Sequence, residues 1–272
     1  MNRVFHWREA PPADYAVIGD PVAHSLSPKM HQAAYEALRL PFRYVAIHVP
    51  RGEARQALDA LASLRYRGVN ATVPHKEDAA RWATKRDNLT DRLNAANTIR
   101  FRDRSCINTD ITGFWDTLAG LRLPNSKALI LGAGGSARAV VLSLAMHGFE
   151  VAIWNRTKAN ATQLLSTLGV RGEVLDQPVL EDAGLVVNTT SASLQGEDLA
   201  VRWERLHPDA LAYDLMYSRG PTPFLASAAA HGRKAMDGRR LLAAQGARSL
   251  EYWLDMRAPR DVMLEALTEE GS

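Results

Sequence analysis

The chain has 272 residues, of which 46% are hydrophobic and 23% charged, enough to bury one large core or two modest ones. A formal net charge of +3, spread along the chain and not gathered in a tail, suits small anionic ligands and requires no nucleic acid as partner. A single cysteine, Cys106, excludes an intramolecular disulfide and a cysteine-based metal cluster, as expected of a cytoplasmic protein.

Residues 1–14 carry Arg3, Arg8, Glu9 and Pro11-Pro12 without the apolar stretch of a secretory signal. Apolar runs such as 140–146 are too short to span a bilayer, so no membrane partner is expected.

From residue 15 the patterns predict a strand over 15–18, a helix over 28–39, a strand over 42–49, a helix over 52–64, a strand over 68–73 and a helix from His75. This alternation implies βαβ units and a largely parallel sheet. Two short strands, 96–101 and 105–108, follow as a hairpin turning through Arg102-Asp103-Arg104. A helix over 111–121 then carries the change of domain.

The strand 127–131 opens a second alternating series. It comprises helix 135–147, strand 150–154, helix 158–168, strands 185–188 and 211–215, and helix 223–231. One more long helix, 239–256, places Leu241, Leu242, Gln245, Ser249 and Trp253 at helical spacing.

Gly132-x-Gly134-x-x-Ala137 follows a predicted strand and opens a helix, the setting in which this pattern holds a dinucleotide pyrophosphate. The cofactor turn is Gly132, Ala133, Gly134, Gly135, Ser136 and Ala137. At the end of the next strand an NAD-binding protein offers an acid to the ribose. Here the run is Asn155-Arg156-Thr157-Lys158, a basic and hydroxylic set that favours NADP through its additional phosphate.

Lys76 closes the run 70–76 and Asp110 closes Asn108-Thr109-Asp110, an amine and a carboxylate upstream of the cofactor turn. Oxidising an alcohol releases a hydride and a proton, and a nicotinamide accepts only the hydride, so a proton-transfer pair is required. Ser25 and Ser27 lie in the loop after the first predicted strand. Ser27 precedes Pro28 and is expected as a helix N-cap, while the two hydroxyls together suit a ligand carboxylate. Asn70, Thr72, Asn97, Thr98, Asn108, Asp110 and Gln245 are polar side chains of the kind that line a pocket for a polyhydroxylated ligand. His24, His31 and His75 lack convergent spacing for zinc, and no metal is expected.

Taken in order, these motifs resemble the shikimate dehydrogenase family over nearly the whole chain. The matching runs are 17–21, 24–28, 70–76, 96–98, 108–110, 132–139, 155–157, 213–217, and Asp237-Gly238 followed by Gln245. The resemblance implies two α/β domains. A substrate domain of 1–112 is rejoined by a C-terminal segment, 239–272, and a Rossmann NADP-binding domain spans 113–238. It also implies that Ser25, Ser27 and Tyr217 hold the substrate carboxylate, and that Thr72, Asn97, Asp110 and Gln245 bind ring hydroxyls. Lys76 and Asp110 would form the catalytic pair, with Thr189 and Gly238 completing the cofactor contacts.

The expected activity is NADP-dependent interconversion of shikimate and 3-dehydroshikimate by a monomer or homodimer. Gln32, His75, Ile111, the run 188–196 and Arg240 depart from the commonest family pattern. His75 and Ile111 in particular leave open a paralogue acting on quinate or an aminated analogue. A dinucleotide sensor without turnover is the non-enzymatic alternative.

Overall fold

The computed structural model describes residues 3–197, 199–218 and 220–268. Two α/β units divide the chain, Met1–Gly113 with Leu242–Ser272, and Phe114–Leu241. Among the described residues no helix is long and apolar enough to cross a membrane.

The first unit contains β1 (Val4–His6), β2 (Tyr15–Gly19), α1 (Ser27–Ala37), β3 (Tyr44–His48), α2 (Ala54–Ser63), β4 (Gly68–Ala71) and α3 (Lys76–Trp82). They are followed by β5 (Lys85–Arg86), α4 (Asn88–Leu93), β6 (Thr98–Arg100), β7 (Ser105–Ile107) and the start of α5 (Thr109–Leu118). The sheet order is β1-β3-β2-β4-β6-β7-β5. Pairing is parallel from β1 to β4, and β6 runs antiparallel to both β4 and β7.

Alternation along β2 divides the core. Tyr15 and Val17 face one side with Met30, Ala34 and Tyr35 of α1, and Ala16 and Ile18 face the other with Ala57, Leu58 and Leu61 of α2. Both faces are covered, as a parallel sheet requires.

The second unit continues α5 into β8 (Lys127–Leu131), α6 (Gly135–Met146), β9 (Glu150–Trp154), α7 (Lys158–Leu168), β10 (Gly172–Leu175), β11 (Leu185–Asn188), β12 (Leu211–Asp214), α8 (Pro223–Ala230) and β13 (Lys234–Met236). Its sheet is parallel throughout, in the order β10-β9-β8-β11-β12-β13. This is the doubly wound Rossmann order, with the connections reversing direction between β8 and β11. Helix α9 (Arg239–Leu254) then leads back to the first unit, where α10 (Arg260–Thr268) packs on α1.

The strands β1, β5, β10 and β13 and the helices α4 and α10 were not expected from the sequence. The strands have two to four residues each, too few for a period-2 signal to declare itself. For α4 a local signal did exist, because the Asp87 carboxylate caps it by accepting from Thr90 N–H at 2.8 Å. The helix expected over 111–121 begins two residues earlier, at Thr109, and ends at Leu118, with Gly120 at φ +83° beyond it.

His31, on α1, is wholly buried and stacks on Tyr44 at 4.4 Å with an interplanar angle of 6°. Neither ring nitrogen has a hydrogen-bond partner among the described residues, and burial pushes its pKa down to about 3 from 6.5. Between those values the unfolded chain holds a proton that the folded chain does not. Stability is therefore expected to fall as pH falls through this window, by about 1.4 kcal/mol per pH unit from this group, and to be unaffected by it above the window. A His31→Phe variant should lose this component. Urea midpoints at about pH 7 and about pH 5 would check it, and parallel shifts in wild type and variant would refute it.

Candidate functional site

In the first unit the connections also reverse direction between two neighbouring strands, β2 and β4, since β2 leads to β3 on one side while β4 lies on the other. Ligands of open α/β sheets collect beyond the carboxyl ends of strands at such a reversal. Ser25 and Ser27 follow β2, and Thr72 and Lys76 follow β4.

Lys76 opens α3, an unfavourable place for a cation because helix N-termini carry partial positive charge. Its ammonium finds compensation across the fold, donating to Asp110 Oδ2 at 2.6 Å, with the two side chains 20% and 15% exposed. Asp110 lies in the first turn of α5, where the dipole favours an anion. Asn108 caps this helix, its Oδ1 accepting from Asp110 N–H at 3.0 Å and its Nδ2 donating to the Ala95 carbonyl.

Asn97 completes the arrangement. Its Nδ2 donates to Asp110 Oδ1 at 3.0 Å and to Gln245 Oε1 at 3.3 Å, while its Oδ1 accepts from Thr109 N–H at 2.8 Å. Both carboxylate oxygens of Asp110 are thereby engaged, one by an amine and one by an amide. A pair braced in this way keeps its geometry without a ligand. Beneath it lies a buried set of short polar side chains. Asn70 Nδ2 donates to Ser249 Oγ at 2.9 Å and to the Asn97 carbonyl at 3.0 Å, and Asn70 Oδ1 accepts from the Tyr44 hydroxyl at 2.7 Å. Ser249 sits four residues after Gln245 on α9 and shares a 2.7 Å hydrogen bond with Thr98 Oγ1.

Asn70, Thr98, Asn108 and Gln245 are expected pocket residues; Thr109 and Ser249 are legible in sequence only as members of a polar run and of a helix face, and Tyr44 not at all. The i, i+4 spacing of Gln245 and Ser249 is the signal for that helix face. Tyr44 comes from a separate strand and had none.

Several expectations need correction. Ser27 is not the N-cap of α1 but its first residue. Leu26 stands at the cap without a side-chain hydrogen bond, and Ser25 Oγ accepts from Ser27 N–H at 3.3 Å. The Ser27 side chain is thus freed from capping. Thr72 donates its backbone N–H to Ile18 O, and its methyl group packs where a Gly19 Cβ would stand, 2.6 Å away. His75 does not line a ring pocket: it is fully buried, with Nε2 2.7 Å from Val49 O. Ile111 is 1% exposed and equally withdrawn. The two departures that favoured a different ring acid are therefore core residues. Tyr217 belongs to the second unit, in the segment after β12.

In the second unit Gly132 and Thr189 follow β8 and β11, the two strands at the reversal. Gly132 has φ +107°, and a Cβ there would lie 2.6 Å from Thr189 Oγ1, so both the turn and the close approach need glycine. Thr189 Oγ1 donates to Leu131 O at 2.7 Å. A Cβ at Gly134 or Gly135 would meet nothing within 4 Å, and Gly134 caps α6 without a side-chain hydrogen bond. The N-terminus of α6 is bare backbone facing open space, as an incoming pyrophosphate requires. Ala133 and Ser136 are half-buried, and Ala137 is buried in the helix packing.

At the end of β9, Asn155 Nδ2 donates to Thr157 O at 2.8 Å and shapes the turn. Arg156 and Thr157 are exposed, and Arg156 has no hydrogen bond or ion pair among the described residues. Lys158, expected beside them, is instead paired with Asp176 at 2.6 Å. Gly238 is buried, because a Cβ there would fall 2.0 Å from the Leu215 carbonyl oxygen. Among the described residues no group of three or more His, Cys, Asp or Glu side chains could hold a metal ion.

A Rossmann unit with a bare glycine turn, in one chain with a second α/β unit carrying a braced lysine–carboxylate pair, defines the class of dinucleotide-dependent alcohol oxidoreductases. Family models extend this along the chain. The shikimate dehydrogenase substrate binding domain matches residues 17–99, shikimate / quinate 5-dehydrogenase matches 117–195, and the shikimate 5'-dehydrogenase C-terminal domain matches 238–268. A relative from Methanocella arvoryzae named shikimate dehydrogenase (NADP(+)) is 38% identical, over 92% of this chain and 96% of its own. The crystal structure of shikimate dehydrogenase from Aquifex aeolicus superimposes with a TM-score of 0.87 at 31% identity, covering 94% of this chain and 97% of that one. A Thermus thermophilus shikimate 5-dehydrogenase in complex with NADP(H) and shikimate gives a TM-score of 0.82 at 35% identity, over 93% and 97% of the two chains. The chain belongs to the shikimate dehydrogenase family.

Proposed function

We propose that this chain interconverts shikimate and 3-dehydroshikimate with NADP, Lys76 moving the proton at the reacting oxygen. The observation that carries this reading is the 2.6 Å contact between Lys76 Nζ and Asp110 Oδ2, with the other Asp110 oxygen held by Asn97. The Thermus thermophilus relative, whose complex holds NADP(H) and shikimate, supports the choice of ligands.

In the reductive direction the Lys76 ammonium gives a proton to the ketone oxygen. In the oxidative direction its neutral amine takes one from the ring hydroxyl. Asp110 fixes the amine and accepts from the neighbouring ring hydroxyl. Asn97 and Gln245 already satisfy one another, so a ring hydroxyl that enters exchanges partners with them and strands no buried group. Thr72 contributes a further hydroxyl, and Ser25, Ser27 and Tyr217 take the carboxylate.

The residues of the second unit fit NADP: open space over Gly134 and Gly135, and an exposed Arg156 and Thr157 where an NAD-binding chain would offer an acid. When bound, NADP supplies the hydride acceptor or donor. The turn 132–137 would hold its pyrophosphate, Asn155, Arg156 and Thr157 its 2′-phosphate, and Thr189 the floor of the turn. Gly238, packed against the Leu215 carbonyl, would complete the cofactor contacts. In this reading the chain works in the cytoplasm, in keeping with its single cysteine.

Purified protein given NADP and shikimate should raise the absorbance of reduced nicotinamide, with quinate a much poorer substrate by kcat/KM. No absorbance change with shikimate would end this reading.

A further inference from the structure

The strands that carry Ser25 and Lys76 at their carboxyl ends frame a second concavity at their amino ends. It has a volume of about 320 Å³ and is lined by Tyr15, Arg67, Arg100, Phe101, Arg102 and Trp253 among others. Tyr15 begins β2, Arg67 immediately precedes β4, and Trp253 lies near the end of α9.

The lining pairs flat apolar walls with cations. Tyr15 and Trp253 stack with ring centroids 4.5 Å apart, and a Cβ at Gly68 would come within 2.5 Å of Trp253 Nε1, so this wall is tightly fixed. Three arginines reach the cavity, and among the described residues no carboxylate lines it. Each arginine is braced by a carboxylate that does not line the cavity: Arg67 Nε by Asp14 at 3.1 Å, Arg100 by both oxygens of Asp103, and Arg102 by Asp255 at 3.0 Å. Arg67 and Arg102 each use one of five N–H donors in these contacts, and the fork of a guanidinium can take a second carboxylate.

Tyr15 gives the cavity its direction. Its side chain belongs to the core, the residue being 1% exposed, yet its hydroxyl has no hydrogen-bond partner among the described residues. The hydroxyl oxygen is not among the buried atoms left without a partner, so it opens into the cavity that Tyr15 lines and is placed to donate to a ligand there. The other two polar aromatic side chains of the cavity are satisfied, Tyr66 by Pro11 O at 2.5 Å and Trp253 by Ile99 O at 2.9 Å. Burial raises the Tyr15 pKa to about 12 while Arg67 and Arg102 oppose the rise, which places both cations within electrostatic reach of this hydroxyl.

We infer that this cavity is a binding site for a small aromatic carboxylate, its ring against Trp253 and Phe101 and its carboxylate received by the Tyr15 hydroxyl with Arg67 and Arg102. The volume suits a ligand of one ring. The site is separate from the Lys76 pair, since the length of β4 lies between them.

Benzoate is the test ligand, titrated into the full chain by calorimetry. Binding is expected with a dissociation constant on the order of 1 mM, as suits so few atoms. Tyr15→Phe keeps the stacked ring and should weaken binding about threefold, while Arg67→Gln with Arg102→Gln should weaken it about tenfold or more. Both arginines are mostly exposed, at 58% and 62%, so thermal midpoints close to wild type are expected of the double variant. A Ser25→Ala, Ser27→Ala variant should bind benzoate unchanged. Loss of binding in that variant would place benzoate at the ring-acid site and overturn the proposal. Indifference to Tyr15→Phe and to the arginine pair would overturn it equally. Inorganic phosphate binding as tightly as benzoate would remove the aromatic specificity and refute the assigned ligand class.

Discussion

Lys76→Ala is expected to lower kcat about 10²- to 10⁴-fold, the range for losing a positioned acid–base group, while NADP still binds with unchanged affinity. The amine is the cationic side chain within hydrogen-bonding distance of Asp110, at 2.6 Å. Removing it leaves no proton carrier at that oxygen. The carboxylate that remains is already bonded to Asn97 Nδ2, and so stays in place without its partner. The fold should survive because Lys76 is the first residue of α3 and contributes no apolar packing to the core, which rests on Ala79, Ala80 and Trp82. The glycine turn lies in the other unit, so NADP titration reports whether the loss is confined to chemistry. Steady-state kinetics with shikimate and a fluorescence titration with NADP separate the two. A kcat within tenfold of wild type would mean that Lys76 does not move the proton.

Arg156→Gln should raise the KM for NADP about 10- to 100-fold and leave that for NAD nearly unchanged, which inverts or erases the cofactor preference. A charge-assisted hydrogen bond contributes about 1.5–3 kcal/mol, and a guanidinium can place two on one phosphate. Arg156 is exposed and has no ion pair among the described residues, so it is available to an anion. Lys158 is not equivalent, because Asp176 already holds its ammonium at 2.6 Å. Lys158→Gln is accordingly expected to change the KM for NADP by less than about threefold. Kinetics of both variants with both cofactors checks the order. A larger effect at Lys158 would assign the phosphate to that side chain.

The residues that proved hard to read from sequence share a physical cause. Motifs that lie within one turn of chain, such as 132–137 or 108–110, declare their local geometry by spacing alone. Ser27 stands before Pro28 as an N-cap does, but the path of the loop through Ser25 and Leu26 starts the helix at Ser27 itself. His75 and Ile111 depart from the commonest family pattern beside Lys76 and Asp110, which leaves a different ring acid open, but both are buried away from the site. Adjacent residues on a helix point in different directions, and these two turn into the core. Lys158 follows Arg156 in sequence, and only the pairing of β10 with β9 shows that Asp176 meets its ammonium.

The sequence by itself determined the two alternating α/β series, the glycine turn with its context, the absence of an acid after β9, and the lysine and carboxylate proposed as the proton-transfer pair. Each is encoded in a short window, through hydrophobic period or fixed spacing. Only the tertiary structure decided that Asp110 is held at both oxygens, that Tyr44 and Ser249 support it from separate elements, and that Tyr15 is left with an unpaired hydroxyl beside three arginines. Those facts depend on the register of strands and the return of α9 to the first unit. They are set by long-range packing, to which residues up to 179 positions apart contribute, as between Asn70 and Ser249.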